Sequence, residues 1–165
     1  MNLYDIYENL LSKFLNFSIS PSFILLLGVI LVLLIFSAFF SGSETALTGA
    51  SRAKLMGMKE KGSKAALRAL KLRENNEKLI GALLLGNNIV NIAASALATI
   101  IAIHMWGESS IVWVTAALTV CILLFSEIIP KSIAVTYPEK VAFPASYILT
   151  GLMKVLKHLL RLEIS

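Results

Sequence analysis

Three short polar segments interrupt the apolar stretches of this chain, and their side chains could together bind a cation. The first is SGSET at 41–45, the second runs from Gly86 to Asn91, and the third is Ser126-Glu127. Their hydroxyl, amide, carbonyl and carboxylate oxygens are hard ligands, which suit Mg²⁺, Ca²⁺ or Na⁺ better than zinc or copper. Ionisable and amide groups inside a membrane span are costly, so we take these segments as the candidates for function.

The spacing of the polar residues also suggests how they meet. Asn87 and Asn91 are four residues apart and therefore project from one face of a helix. Gly42 and Gly86 permit either a close approach of backbones or local unwinding that frees carbonyl oxygens. Pro130 lacks a backbone donor and predicts a bend in the third helix beside Glu127.

A purely structural interpretation accounts for many of these groups. Asn, Ser and Thr often form hydrogen bonds between membrane helices, and this alternative applies singly to the residues Asn88, Ser95, Thr99, Thr115 and Thr119. Glu44 could lie at the membrane interface, and Glu127 could pair with Lys131 one turn later. No histidine accompanies Ser41 or Ser43 and no Gly-x-Ser-x-Gly turn is present, so we do not expect an enzyme.

The composition predicts an integral membrane protein that holds these segments in helices. The chain has 165 residues, of which 57% are hydrophobic and only 15% charged, whereas globular chains carry about 25% charged residues. Three uncharged stretches are long enough to cross a bilayer, which takes roughly 17–25 residues. We expect spans at about 23–45, 79–105 and 109–129.

The distribution of the basic residues predicts the orientation. The linker at 51–78 contains nine Lys or Arg residues and three acidic residues, whereas the connection around Trp106 to Ser110 contains no basic residue. Because basic loops remain in the cytoplasm, we expect this linker and the C-terminus to be cytoplasmic and the N-terminus extracytoplasmic. The net charge of +5 is then explained by the basic residues that orient the protein in the membrane. We therefore expect no nucleic-acid partner.

Two further segments are typical of helices at the membrane surface. Ser63 could cap a short basic helix, and the residues from Pro144 onward place Leu149, Leu152 and Leu156 on one face with Lys154 on the other. We expect the second to lie on the cytoplasmic face against anionic lipids. The alternative is a fourth span within 141–160, whose lysines would have to reach back to the interface.

Small residues at four-residue intervals predict close helix packing. Ala94, Ala98 and Ala102 form one ridge, and Ser37, Ser41 and Thr45 form another. Three spans are few to enclose a polar path, so we expect a homodimer.

The motifs SGSETALTGASRAKL, GNNIVNIAASALAT and SEIIPKSIAV, in this order, resemble the membrane domain of the CorC / cyclin M (CNNM) family of magnesium and cobalt efflux proteins. The resemblance covers roughly Ile24 to Leu160. It implies an all-α homodimer with three transmembrane helices per protomer and a belt of cytoplasmic juxtamembrane helices. It also implies Mg²⁺ as the bound ion, with export from the cytoplasm coupled to Na⁺ entry.

The resemblance further implies a ligand set and a domain order. The implied ligands are Ser41 or Ser43, Asn87 or Asn91 with the Gly86 carbonyl, and Glu127. We expect an extracytoplasmic segment at 1–22, a transmembrane domain at 23–137 and a cytoplasmic amphipathic helix at 138–165. Family members continue into CBS domains that bind ATP, and we expect this chain to be the membrane part of such a protein.

Our hypothesis from the sequence is the membrane domain of a Mg²⁺ transporter in the cell membrane. One alternative is a membrane anchor and dimerisation module without transport of its own. Another is a Na⁺-driven carrier of a different solute.

Overall fold

The computed structural model describes Glu8, Ser12 and residues 21–162. Side chains are described for Glu8, Ser12 and residues 21–155. No strand occurs among these residues. Within residues 21–162, seven α-helices follow one another: α1 Pro21–Gly49, α2 Arg52–Glu60, α3 Lys64–Glu74, α4 Asn76–Trp106, α5 Ile111–Cys121, α6 Ile129–Thr136 and α7 Pro138–Leu162. The segment expected at 1–22 and the side chains expected beyond residue 155 lie largely outside the described part.

Among the residues that the structure describes, three helical segments are long and apolar enough to cross a membrane, as the sequence predicts. They are α1, α4 and the stretch Glu108–Thr136, which we call the third span. The third span contains a 3-10 turn at Glu108–Ser110, then α5, a π-helical stretch at Ile122–Ile128 and α6. Within the described part α7 does not belong to this group, so the alternative of a fourth span gains no support.

Helix α1 is the centre of the bundle. It contacts α4, the third span and α7, and two apolar clusters form along its length. The cluster near its start contains Ile30, Ala94, Ala98 and Ile101, so the predicted alanine ridge packs within the protomer. The small side chains let α1 and α4 lie close together over several turns.

The second apolar cluster surrounds the C-terminal end of α1. Helices α2, α3 and α7 pack around this end of α1, and we call these three helices the belt. The buried members of the cluster include Leu47 of α1, Leu55 of α2 and Leu149 of α7. One polar contact joins the belt to the end of α1: Arg73 Nη1 of α3 donates to the carbonyl of Ala50 at 2.6 Å. Another joins two helices of the belt: Lys54 Nζ of α2 lies 2.9 Å from a carboxylate oxygen of Glu139 in α7. The belt is therefore a packed part of the fold.

Local sequence explains where α2 and α3 begin. The hydroxyls of Ser51 and Ser63 accept hydrogen bonds from the backbone amides of Lys54 and Ala66, so both serines act as N-caps. Gly62 adopts a φ of 88° between the two helices, a conformation that favours glycine.

Just before Pro130, where the sequence predicts a bend, the third span contains a π-helical stretch. The amide of Ile129 donates to the carbonyl of Leu124, five residues earlier, immediately before the proline. The wider turn accommodates the Pro130 ring, which would otherwise clash with the carbonyl of residue 126. Glu127 lies inside this stretch.

Candidate functional site

The first polar contact of the bundle joins α1 and α4. Ser37 Oγ donates to Asn87 Oδ1 at 2.7 Å. Next to this bond, a Cβ added to Gly86 would lie 2.9 Å from Cζ of Phe40, so the Phe40 ring covers the space that a side chain would fill. The absence of a side chain at Gly86 therefore allows α1 and α4 to approach closely. Helix α4 continues through Gly86 without unwinding.

A second pair of contacts joins α1 and the third span at the same level. Ser126 Oγ donates to the carbonyl of Leu34 at 3.2 Å. A Cβ added to Gly42 would lie 3.4 Å from Cβ of Pro130. All four contacts involve α1 residues between 34 and 42, which is about 12 Å of helix at 1.5 Å per residue. The three polar segments are thus brought to one short region of α1.

Three buried oxygen atoms of these segments have no hydrogen-bond partner. They are Ser41 Oγ, Ser43 Oγ and Asn91 Oδ1, and both serines are almost fully buried. An unsatisfied buried polar atom costs about 1–3 kcal/mol, so native proteins rarely keep several without a reason. A bound cation is one partner that such oxygens can coordinate.

The two serines of the first motif face different neighbours. At 100° per residue, Ser41 lies about 40° from Ser37 around α1, whereas Ser43 lies about 200° from Ser41. Ser41 therefore shares the side of Ser37, which contacts α4. Ser43 shares its side with Phe39 and Leu47, which pack in the belt cluster.

Glu127 is the half-buried carboxylate of the third motif. Its neighbour Ser126 is buried against α1, and Ile128 on the other side is exposed. No group of three or more His, Cys, Asp or Glu side chains that could hold a metal occurs among the residues that the structure describes. A cation in this region would consequently depend on hydroxyl, amide and carbonyl oxygens with few charges.

Several polar residues named in the sequence have structural partners or lie at the surface. Thr99 and Thr119 donate to the carbonyls of Ser95 and Thr115 in their own helices. Asn88 is exposed on α4. These observations favour the structural interpretation for this group.

Ser37 and Glu44, which are not among the predicted ligands, lie on the same side of α1 as Ser41. Ser37 is buried and bonded to Asn87, and Glu44 is half-buried one turn beyond Ser41. Their spacing with Ser41 is i, i+4, i+7, which places all three on one face. The spacing is present in the sequence, which predicts only close helix packing for Ser37.

Comparison with known proteins agrees with the resemblance. Residues 28–163 match the model of the CNNM family, described as the cyclin M transmembrane N-terminal domain. A "UPF0053 protein" of Haemophilus influenzae is 42% identical over 127 residues, which cover 77% of this chain and 30% of the relative. The "UPF0053 inner membrane protein YfjD" of Escherichia coli is 45% identical over 116 residues, covering 70% of this chain and 27% of the relative.

A further relative has a name that states an activity. The "Polyamine export protein" of Haemophilus influenzae is 34% identical over 143 residues, which cover 79% of this chain and 33% of that protein. The chain thus spans about a third or less of the length of these relatives. The chain belongs to the CNNM family and carries its transmembrane domain.

Proposed function

We propose that this domain carries Mg²⁺ across the cell membrane, outward from the cytoplasm and coupled to Na⁺ entry. The observation that carries the proposal is the set of buried oxygens without partners, Ser41 Oγ and Asn91 Oδ1, in the region where three spans meet. In the hydrocarbon region of a membrane, polar atoms find no bulk water and depend on other partners. A transported cation would supply the missing partner.

The chemistry of the donor set fits Mg²⁺ as cargo. Mg²⁺ prefers six oxygen ligands and releases its water reluctantly, so a site that keeps some water is sufficient. Ser41 and Asn91 would offer neutral oxygens, and Asn87 is held at this level by its bond to Ser37. The Gly86 carbonyl lies within α4 and has a second lone pair to offer.

Glu127 would supply the negative charge of the site. Its π-helical turn differs in geometry from the rest of the third span, and such turns occur frequently at functional sites. With one carboxylate and mostly neutral ligands, the site would bind Mg²⁺ modestly, which favours release on the other side. Na⁺ accepts the same oxygens and could replace Mg²⁺ there.

A second candidate is export of a polyamine. It is favoured by the polyamine exporter at 34% identity, and ammonium groups also bind hydroxyl, amide and carboxylate oxygens. The third is an anchor, in which Ser37–Asn87 and Ser126–Leu34 only hold the helices together.

A liposome experiment separates the three functions. The purified protein is reconstituted in liposomes containing a Mg²⁺-sensitive dye, and Mg²⁺ movement is followed with and without an opposing Na⁺ gradient. The proposal predicts Mg²⁺ flux that the Na⁺ gradient accelerates and that Glu127→Gln abolishes, with Glu108→Gln as the matched control. Flux of labelled putrescine without Mg²⁺ flux would favour the polyamine, and absence of both would favour the anchor.

A further inference from the structure

Arg68 of α3 is a cation whose charge has no carboxylate partner in the described structure. Its Nε is buried and makes no hydrogen bond, and its guanidinium carbon lies 5.7 Å from the centre of the Tyr147 ring of α7. This distance is within the range of a cation–π contact. The aromatic ring holds the guanidinium in place but does not neutralise it.

The surroundings of Arg68 on α3 are basic. Lys64 and Lys71 lie four residues before it and three residues after it, so the three cations share one face. The acidic residue of this helix, Glu74, lies about 120° away around the axis. Three residues of α3 are buried in the apolar cluster of the belt, with Ala66 about 160°, Ala69 about 100° and Leu72 about 40° from Arg68 around the axis. Arg68 therefore lies at the edge of the exposed face of α3.

The neighbouring face of α7 combines apolar and basic groups. Tyr147 is 71% exposed, and Ile148 and Val155 are also exposed. Lys140 and Lys154 lie on the same side of the helix, both exposed. An exposed face with an aromatic residue, aliphatic residues and lysines suits the boundary between lipid headgroups and acyl chains.

We infer that Arg68 and Tyr147 form a binding site for the phosphate group of an anionic phospholipid. The guanidinium presents a rigid fork of donors that matches two phosphate oxygens, and Lys64 and Lys71 add positive charge. The acyl chains would lie along Tyr147, Ile148 and Val155. The inference depends on the placement of the belt at the cytoplasmic membrane surface, and it is independent of the transported solute.

A bilayer lipid suits this site better than a soluble phosphate. A free phosphate ion would satisfy the guanidinium but would leave the exposed apolar face of α7 in water. A lipid covers both, because its phosphate and its acyl chains are joined in one molecule. The bound lipid would connect α3 to α7 and stabilise the belt.

Native mass spectrometry of the purified protein in detergent tests the inference. The protein is titrated at physiological ionic strength with phosphatidylglycerol and with phosphatidylcholine of the same acyl chains. We expect phosphatidylglycerol to bind more tightly, and Arg68→Gln to weaken its binding roughly tenfold with little effect on phosphatidylcholine. The matched control is Lys59→Gln, an exposed lysine of α2, for which we expect less than about a threefold change.

Three outcomes would overturn the inference. The first is equal affinity of wild type and Arg68→Gln for phosphatidylglycerol. The second is an equal loss in Lys59→Gln, which would indicate only general attraction of charge. The third is displacement of the lipid by millimolar inorganic phosphate, which would identify a free-anion site. If Arg68→Gln does not yield folded protein, Arg68→Lys is compared instead, since it keeps the charge but loses the fork and should also weaken binding.

Discussion

At the scale of single residues, the first motif divides into two environments. Ser41 lies on the face of α1 that contains Ser37 and its bond to Asn87, whereas Ser43 lies on the face packed in the belt. Both hydroxyls are buried without partners. Only Ser41 is therefore expected to contact an ion held between α1, α4 and the third span.

Substitution of each serine by alanine tests this assignment. We expect Ser41→Ala to weaken Mg²⁺ binding roughly tenfold, because one oxygen ligand is lost, which corresponds to about 1.4 kcal/mol. Ser43→Ala should leave binding within about twofold of wild type, since its side chain faces away. The dependence of the melting temperature on Mg²⁺ concentration measures both. A larger loss in Ser43→Ala than in Ser41→Ala would contradict the assignment.

Residue types alone predict which polar segments could bind an ion, but they do not give the contacts between these segments. The sequence named Ser41, Asn87, Asn91 and Glu127 from chemistry and resemblance. It could not show that Asn87 is bonded to Ser37, because hydrogen bonding between spans depends on the rotation of each helix about its axis. Rotation is determined by packing of small and large side chains, as in the contact of Phe40 with Gly86.

At the scale of elements, two glycines determine how closely the spans approach α1. A Cβ at Gly86 would lie 2.9 Å from the Phe40 ring, which is closer than packed atoms tolerate, whereas a Cβ at Gly42 would be in ordinary contact with Pro130. The α1–α4 contact at Gly86 consequently tolerates an added side chain less well than the contact between α1 and the third span at Gly42.

Alanine substitutions at the two glycines should differ in stability. We expect Gly86→Ala to lower the free energy of unfolding by about 1–3 kcal/mol, because the Phe40 ring must move. Gly42→Ala should remain within about 1 kcal/mol of wild type, since alanine favours the helix. Thermal unfolding in detergent provides the comparison. Part of the loss in Gly86→Ala should be recovered by adding Phe40→Leu, and failure of this rescue would count against the ring contact as the cause.

The Lys54–Glu139 pair connects α2 to α7 within the belt. The hydrogen bond from Lys54 lowers the pKa of Glu139 below its ordinary value. Because the folded pKa is lower than the unfolded one, the contribution to stability is complete above the unfolded pKa. It is lost as the pH falls through the folded pKa.

Lys54→Gln should therefore change stability in a pH-dependent way. We expect a lower melting temperature than wild type at neutral pH and no difference at acidic pH, where Glu139 is protonated. The control is Lys140→Gln, whose lysine lies over the Tyr137 ring and not against a carboxylate. The melting temperature of Lys140→Gln should change with pH in parallel with that of wild type. If Lys54→Gln lowers the melting temperature by the same amount at every pH, the pairing of Lys54 with Glu139 is contradicted.

At the scale of the whole molecule, the three long apolar helical segments of the described residues are those of a multi-pass membrane protein. Most side chains of the third span are exposed in the single chain, for example Trp113 and Phe125. Lipid or a second protomer must cover them. The three spans followed from uncharged runs, but the π-helical stretch did not, because the sequence shows only that Pro130 disturbs an α-helix.

Cysteine labelling in intact cells tests the orientation. In a Cys121→Ala background, Lys61→Cys between α2 and α3 should react only after the membrane is permeabilised. Ser109→Cys, in the connection between α4 and α5, should react with an impermeant reagent from outside. Both positions are exposed in the structure. The reverse pattern would overturn the orientation predicted from the basic residues.

The proposed function requires an intramembrane cation site that combines Glu127 with buried neutral oxygens. Isothermal titration of Mg²⁺ into the purified protein tests it most directly, with Glu127→Gln and the control Glu108→Gln. We predict that wild type and Glu108→Gln bind Mg²⁺ with similar affinity. Glu127→Gln should bind at least about tenfold more weakly, since the charge of the site is lost. Equal affinities in all three proteins would show that Glu127 does not belong to a Mg²⁺ site.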